Sequence, residues 1–421
     1  MSPKFTQQLH QTFRALSVPE YRIYAAGQVG GTLSFWLQTT TLSWLVLLLS
    51  GDSGLALGGT LALQFGPMLL FGLHGGRIAD AFDKRRILMF SSMGQATITA
   101  CLSVIVLSGH AEIWHVYLAV FISGCIATIE GPTRQSFFSE LVDRDMLPNA
   151  ISLGSAIFNL SRICGPSIAG LLIALTSTGT VLSLTAVVFL TPAVANYILT
   201  HRTLKNQVVP SRDNAILPAL RFVKERRDIL AVIVMVAFIG GFAFNFPVTL
   251  SMLSKTEFNT DADAFGLLLT SLSVGALVGA LVSGRRYGRP TAYTVIWSGL
   301  ALGVGTTAAG FAPNMLYAAI LLVPTGFAMV YFAQAANQRI QMGVGGAMRG
   351  RVMSVYMLVF LGSTPICAPI VGVASDIAGG RAGLWLGGGI TIATALAGLA
   401  AKVIRPRPVE KDEVQKVPAS A

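Results

Sequence analysis

Residues Gly76-Arg77-Ile78-Ala79-Asp80-Ala81-Phe82-Asp83-Lys84-Arg85-Arg86 form a short charged island between two long apolar runs, 55–79 and 87–108. A helix needs about 20 mostly apolar residues to cross the hydrocarbon of a bilayer, and each run is long enough. Two such runs joined by a few charged residues make a helical hairpin with its turn at the membrane surface. The successive cations Lys84, Arg85 and Arg86 predict which surface, because short loops rich in Lys and Arg stay cytoplasmic.

The same pattern continues outward in both directions. Apolar runs fall at 22–49, 55–79, 87–108, 113–137, 149–176, 180–200, 229–253, 264–283, 291–311, 314–338, 352–375 and 382–403. Composition agrees: 53% of the 421 residues are hydrophobic and 12% charged, where soluble domains carry about 25% charged residues. The mean hydropathy is +0.66. The 44 glycines suit helices packed closely in lipid. The first twenty residues are polar and mixed, and the first apolar run is long enough to span, so no cleavable leader is expected. The expected fold is an all-α membrane protein with twelve transmembrane helices in two six-helix bundles.

The net charge of +11 is distributed by loop. Arg144, the stretch from His201 to Arg227, Arg285, Arg286, Arg289, Arg339, Arg349, Arg351 and the tail from Arg405 fall in alternate connections. Lys255 and Arg381 are the exceptions. This alternation predicts both termini in the cytoplasm. It divides the chain into a terminal segment 1–20, a first bundle 21–200, a basic central loop 201–228, a second bundle 229–403 and a tail 404–421. Leu217 to Arg227 reads as an amphipathic surface helix. The halves echo each other: Asn149-Ala150-Ile151-Ser152-Leu153 resembles Arg351-Val352-Met353-Ser354-Val355, and in that register Gly170 meets Gly372.

At this point the sequence resembles the major facilitator superfamily. In the island, Gly76, Asp80, Arg85 and Arg86 match the superfamily's loop motif between the second and third helices. Ala81 and Asp83 depart from it. The Asp83 variant resembles multidrug and siderophore exporters of the enterobactin-exporter and macrolide-efflux kind. So do Trp36-Leu37-Gln38, Leu42-Ser43-Trp44-Leu45, Pro132-Thr133-Arg134-Gln135 and Leu147-Pro148-Asn149-Ala150. Gly165, Pro166 and Gly170 in Arg162-Ile163-Cys164-Gly165-Pro166-Ser167-Ile168-Ala169-Gly170 resemble the fifth-helix motif of exporters. The resemblance implies alternating access, a gate at Gly76, Asp80, Arg85 and Arg86, and export. Asp80 also has a reading without any family, as a carboxylate beside cations or a helix N-terminus, against the alternative of a plain solvated turn.

Charges at membrane depth are costly and usually face a cavity or each other. Glu130, Arg134 and Arg162 qualify. Glu130 and Arg134 share a helix face, and Glu130 pairs with Arg134 or with Arg162. Either the pair moves a proton or it is a static ion pair. The superfamily's earlier fourth-helix arginine is absent at Phe121–Cys125, as is a first-helix acid, so proton coupling stays an expectation. Candidate lining residues for a substrate cavity between the halves are Trp36, Gln38, Gln64, Asn159, Phe242, Asn245, Tyr331, Gln334 and Asn337, with Gln28, Thr39, Trp44, Phe238, Phe246 and Gln338 alongside. As a set they suit an organic amphiphile, although each residue alone is more often a packing residue.

Cys101, Cys125, Cys164 and Cys367 lie inside apolar runs without CxxC spacing and read as packing residues. The five histidines lack metal-ligand spacing and no P-loop is present. The expected partners are a small-molecule substrate, a proton and the lipid bilayer. No metal, other cofactor, nucleic acid or enzymatic activity is expected, and a monomer is the default. The membrane is expected to be the bacterial cytoplasmic (inner) membrane. Alternatives are a nutrient importer, a lipid-handling protein or a sensor of the same fold.

Overall fold

A computed structural model describes residues 14–143, 145–202, 216–286 and 288–404, and all regular structure among them is helical. The cations expected at Arg144, Lys205, Arg212 and beyond Arg405 lie outside the described residues. The first half comprises α1 (Pro19–Ser50), α2 (Gly54–Ala81), α3 (Lys84–Leu107), α4 (Ile113–Leu141) and α5 (Leu147–Leu175). A sixth pass follows in two pieces, α6 (Thr178–Val188) and α7 (Leu190–Thr200). A surface helix, α8 (Ile216–Glu225), buries Ala219 and Val223 and leaves Leu220 exposed, as an amphipathic segment should.

The second half starts with α9 (Arg227–Ala243) and α10 (Phe246–Met252), continued by a π turn over Leu253–Glu257. It goes on with α11 (Ala262–Gly284), α12 (Ala292–Gly310) and α13 (Met315–Gly343), then α14 (Gly346–Gly362) with α15 (Thr364–Ala378), and α16 (Ala382–Ile404). Eleven passes among the described residues are long and apolar enough to cross a membrane. α12, where Gly and Thr dilute the aliphatic residues, completes the twelve and packs between α13 and α16. Pro247 and Pro365 sit in the first turns of α10 and α15, directly after breaks in their passes. A residue without an N–H donor is tolerated at such a position. Pro324 lies inside an unbroken α13.

Local chemistry sets the turns. Ser53, Asp83, Ser177, Thr291 and Asn314 each accept a backbone N–H in the first turn of the helix they precede, which satisfies an otherwise orphaned donor. Gly51 ends α1 at φ 64°, a conformation that suits glycine. Exposed Leu70, Phe90, Val104, Leu175 and Leu281 give the outside of the bundle an apolar skin, as a lipid-facing surface requires.

The halves meet along two seams, α2 with α15 and α5 with α11. A Cβ on Gly54 would lie 2.5 Å from the Gly372 carbonyl, and one on Gly58 2.5 Å from that of Ala368. A Cβ on Gly170 would lie 2.5 Å from the Ala262 carbonyl, and one on Gly266 2.5 Å from that of Pro166. The two seams are related by the internal echo. In the register that pairs Ser152 with Ser354, Pro166 corresponds to Ala368 and Gly170 to Gly372. Small residues at these positions let backbones touch without side chains between them. All four approaches use the first turns of α2 and α11 and the later part of α5 and α15, at the end of the molecule away from Lys84 and Arg85.

The two cations that break the loop pattern are also anchored at that end. Arg381 donates to Glu257 Oε2 at 3.0 Å and to the carbonyls of Gly310 and Ala312 at 3.1 and 2.8 Å. Lys255 stands 5.5 Å over Trp44, which stacks on Phe265.

Candidate functional site

Within the first half, Arg134 Nη2 donates to Glu130 Oε1 at 2.7 Å. The pair lies one turn apart on α4, where an i, i+4 spacing brings side chains together. Of the two expected partners for Glu130, the structure selects Arg134. The pair lines a cavity of about 40 Å³ with Tyr24, Gln28, Ser92, Gln95 and Asn196, enough for about three waters. Four polar atoms of its lining have no partner: Tyr24 Oη, Gln28 Oε1, Gln95 Oε1 and Asn196 Oδ1. Gln95 and Asn196 spend their amide N–H groups on the carbonyls of Ser123 and Pro192, which leaves the oxygens over. Buried acceptors of this kind are normally satisfied, by protein or by water. Periodicity does not distinguish Gln95 or Asn196 from other polar residues on apolar helices, and both escaped the sequence reading.

Arg162 stands elsewhere. Midway along α5, its guanidinium carbon lies 5.6 Å from the centroid of Trp36, and Nη2 approaches Met329 Sδ on α13 at 3.7 Å. Phe35 and Phe158 meet Trp36 edge-on at 5.4 and 5.7 Å. Gly165 makes this crossing possible, since a Cβ there would lie 2.5 Å from that of Trp36. Gly165, Pro166 and Gly170 therefore act in packing: the first against α1, the other two against α11 in the opposite half.

The other cavity candidates do not form one group. Gln38 donates to Thr99 Oγ1 at 2.8 Å and shares a second, smaller cavity with Gln64 and Thr60. Asn245 is buried at the break between α9 and α10, with its side-chain amide on the Gly241 carbonyl. Asn159 bonds within its own helix to Ser155, and Asn337 accepts from Gln341 at 2.8 Å. Phe242 is half-buried and Gln334 exposed. Tyr331 stacks on Phe327, with Arg286 4.4 Å above its ring.

At the charged island, Arg85 bonds Asp83 at 2.6 Å and the carbonyls of Leu199 and Arg202 at 3.1 and 2.9 Å. It thus closes the C-terminus of α7, where a cation is favourable. These bonds from Arg85 hold the Asp83 carboxyl below its ordinary 3.8, against a burial that raises it. Lys84 pairs with Glu140 on α4, and Arg86 is exposed. Gly76 and Asp80 belong to α2, but their side chains lie outside the described residues. The free cysteines make no disulfide among the described residues.

Two related halves of six passes, sealed at one end and holding a charged cavity in the apolar interior, define a membrane transporter of the major facilitator kind. The chain belongs to the family of transmembrane secretion effectors within that superfamily, whose profile matches residues 10–419. It is 24% identical to the staphyloferrin A transporter of Staphylococcus aureus over 82% of this chain and 87% of that one. It is 29% identical to the multidrug efflux pump Tap of Mycolicibacterium fortuitum over 80% and 84%. Among solved structures it superposes on a bacterial homologue of the lysosomal transporter Spinster in an inward-facing, unoccupied conformation, with a TM-score of 0.68 at 14% identity over 93% and 96% of the two chains. It also superposes on the POT family transporter PepTSo, with a TM-score of 0.72 at 14% identity over 92% and 98%. The family and these relatives are transporters, so the chain is a transporter and not an enzyme.

Proposed function

We propose that this protein exports small amphiphilic organic molecules by alternating access, driven by a proton gradient that acts on Glu130. The observation that carries the reading is the Glu130–Arg134 pair on a cavity with four unpartnered polar atoms. A carboxylate beside room for water can take up a proton and release its arginine, and an intramembrane acid is a functional candidate by default. The named relatives, an efflux pump and a staphyloferrin A transporter, support movement of organic compounds. Loop charge supports an orientation with both termini and the Lys84 end in the cytoplasm of a bacterium, in its cytoplasmic membrane. In that orientation the sealed end faces outward, and the reading puts substrate entry on the cytoplasmic side. The division into bundles 21–200 and 229–403, a gate formed by Gly76, Asp80, Arg85 and Arg86, and a monomeric state belong to the same reading.

The test is transport in liposomes carrying the purified chain, with a panel of dyes, antibiotics and siderophores and with an imposed proton gradient. Movement of one compound class that collapses with the gradient is the expected result. Transport that ignores the gradient removes the coupling, and accumulation only in the import direction reverses the assignment.

A further inference from the structure

Of the charges at membrane depth, Glu130 and Arg134 neutralise each other at 2.7 Å. Arg162 is left over. Among the described residues it has no carboxylate partner. Its contacts are the face of Trp36 at 5.6 Å and the thioether of Met329 at 3.7 Å. A guanidinium carries five N–H donors in a fixed plane, and a thioether is a weak acceptor for one of them. An uncompensated cation in an apolar interior is expensive to keep, so those donors need a partner that arrives. Met329 belongs to α13 in the second half and Trp36 to α1 in the first, so Arg162 stands where the halves face each other, the usual place of a transported molecule. A second guanidinium, Arg286, rests on Tyr331 of the same α13, and it too has no carboxylate partner among the described residues. Both cations lean on aromatic rings, which attract the charge yet leave the in-plane N–H groups free.

We infer that Arg162 and Trp36 form a docking point for a carboxylate-bearing aromatic or amphiphilic substrate, with the carboxylate across the guanidinium fork and the apolar body against Trp36 and Phe158. A planar carboxylate fits the fork with two parallel hydrogen bonds, which an ammonium in the same place could not provide. From the export reading this takes only that the space between the halves is the substrate path.

The test is calorimetric binding to the full chain in nanodiscs, using 1-naphthaleneacetate and the matching 1-naphthaleneacetamide, which differ in charge and little in shape. The acid is expected to bind about tenfold tighter than the amide. Arg162→Met should remove that preference, and Arg162→Lys should weaken the acid several-fold without changing the amide. Equal binding of acid and amide by the unaltered chain overturns the inference. So does an acid affinity unchanged in Arg162→Lys, a variant that keeps the charge should Arg162→Met fail to fold. Acid preference without gradient-driven movement in liposomes upholds this site and removes the export reading, while coupled export without acid preference removes the site alone.

Discussion

The carboxylate of Asp376, at the end of α15, covers the first turn of α2: it accepts from Gly54 N at 2.5 Å, Leu55 N at 2.8 Å and Ser53 Oγ at 3.2 Å. An anion at a helix N-terminus meets both the unsatisfied N–H groups and the positive end of the helix dipole. Because α2 and α15 belong to different halves, this contact exists only while that end is shut. Removing it should favour the state open there. An interaction of this kind contributes about 1 kcal/mol, which is roughly fivefold in a two-state equilibrium. Spin labels on the exposed Leu55 and Ile377 should report more of the longer distance in Asp376→Ala. An unchanged distribution would show the seam holding without the carboxylate.

The seam glycines make a sharper case. Any side chain at Gly170 meets the Ala262 carbonyl at 2.5 Å, whereas a methyl at Gly389 meets nothing within 4 Å. Gly170→Val should therefore abolish turnover by keeping the sealed end apart, and Gly372→Val should do the same on the related seam. Gly389→Ala should be neutral, or stabilise α16 by about 0.5–1 kcal/mol. Transport rates in liposomes with matched amounts of folded protein check all three, and normal turnover in Gly170→Val would mean the seam never needs to close that tightly.

The twelve passes were legible because lipid imposes one simple demand, a long apolar helix, and the cations report which ends share a face. The echo of Gly170 in Gly372 was visible before its meaning was, since both glycines turn out to admit a backbone carbonyl or its neighbour from the other half. The site was less legible. A helix that is apolar all round carries no period to say which face meets which neighbour. Hence the sequence could not decide between Arg134 and Arg162 as partner of Glu130, nor place Arg162 over Trp36. It could not tell Asn245, which is spent on a helix break, from a lining residue. Nothing in the sequence singles out Asp376, because its backbone partners lie more than 300 residues away.

The island offers a pH test. Arg85 holds Asp83 ionised below its ordinary 3.8. For a carboxyl lowered by folding, the stabilisation is fully present above the unfolded value and is lost as pH falls through the folded one. Asp83→Asn can still accept at the start of α3 but cannot pair with Arg85. With a third of the side chain exposed, solvent screening leaves about 0.5 kcal/mol. The apparent melting temperature of the variant should lie below that of the unaltered chain at pH 7 and at pH 5, and the gap should close below about pH 4. A gap that does not narrow at all as pH falls below 3.8 would assign the loss to something other than charge.

Glu130→Gln separates the proton from the pair. Glutamine keeps the length and one acceptor for Arg134 but carries no ionisable group, so the cavity loses its only carboxylate among the described residues. If Glu130 exchanges a proton with the cavity water, gradient-driven accumulation should fall at least tenfold, while downhill movement of the same compound, which needs only the rocking of the halves, should persist. Arg134→Gln should behave differently. It keeps the ionisable group and removes only its ion-pair partner, so the variant should retain part of the uphill accumulation that Glu130→Gln loses. Measuring uphill and downhill rates for both variants in liposomes makes the distinction. Equal loss of both rates in Glu130→Gln, from protein that is folded, would identify the pair as an architectural clamp between turns of α4 and not a proton carrier.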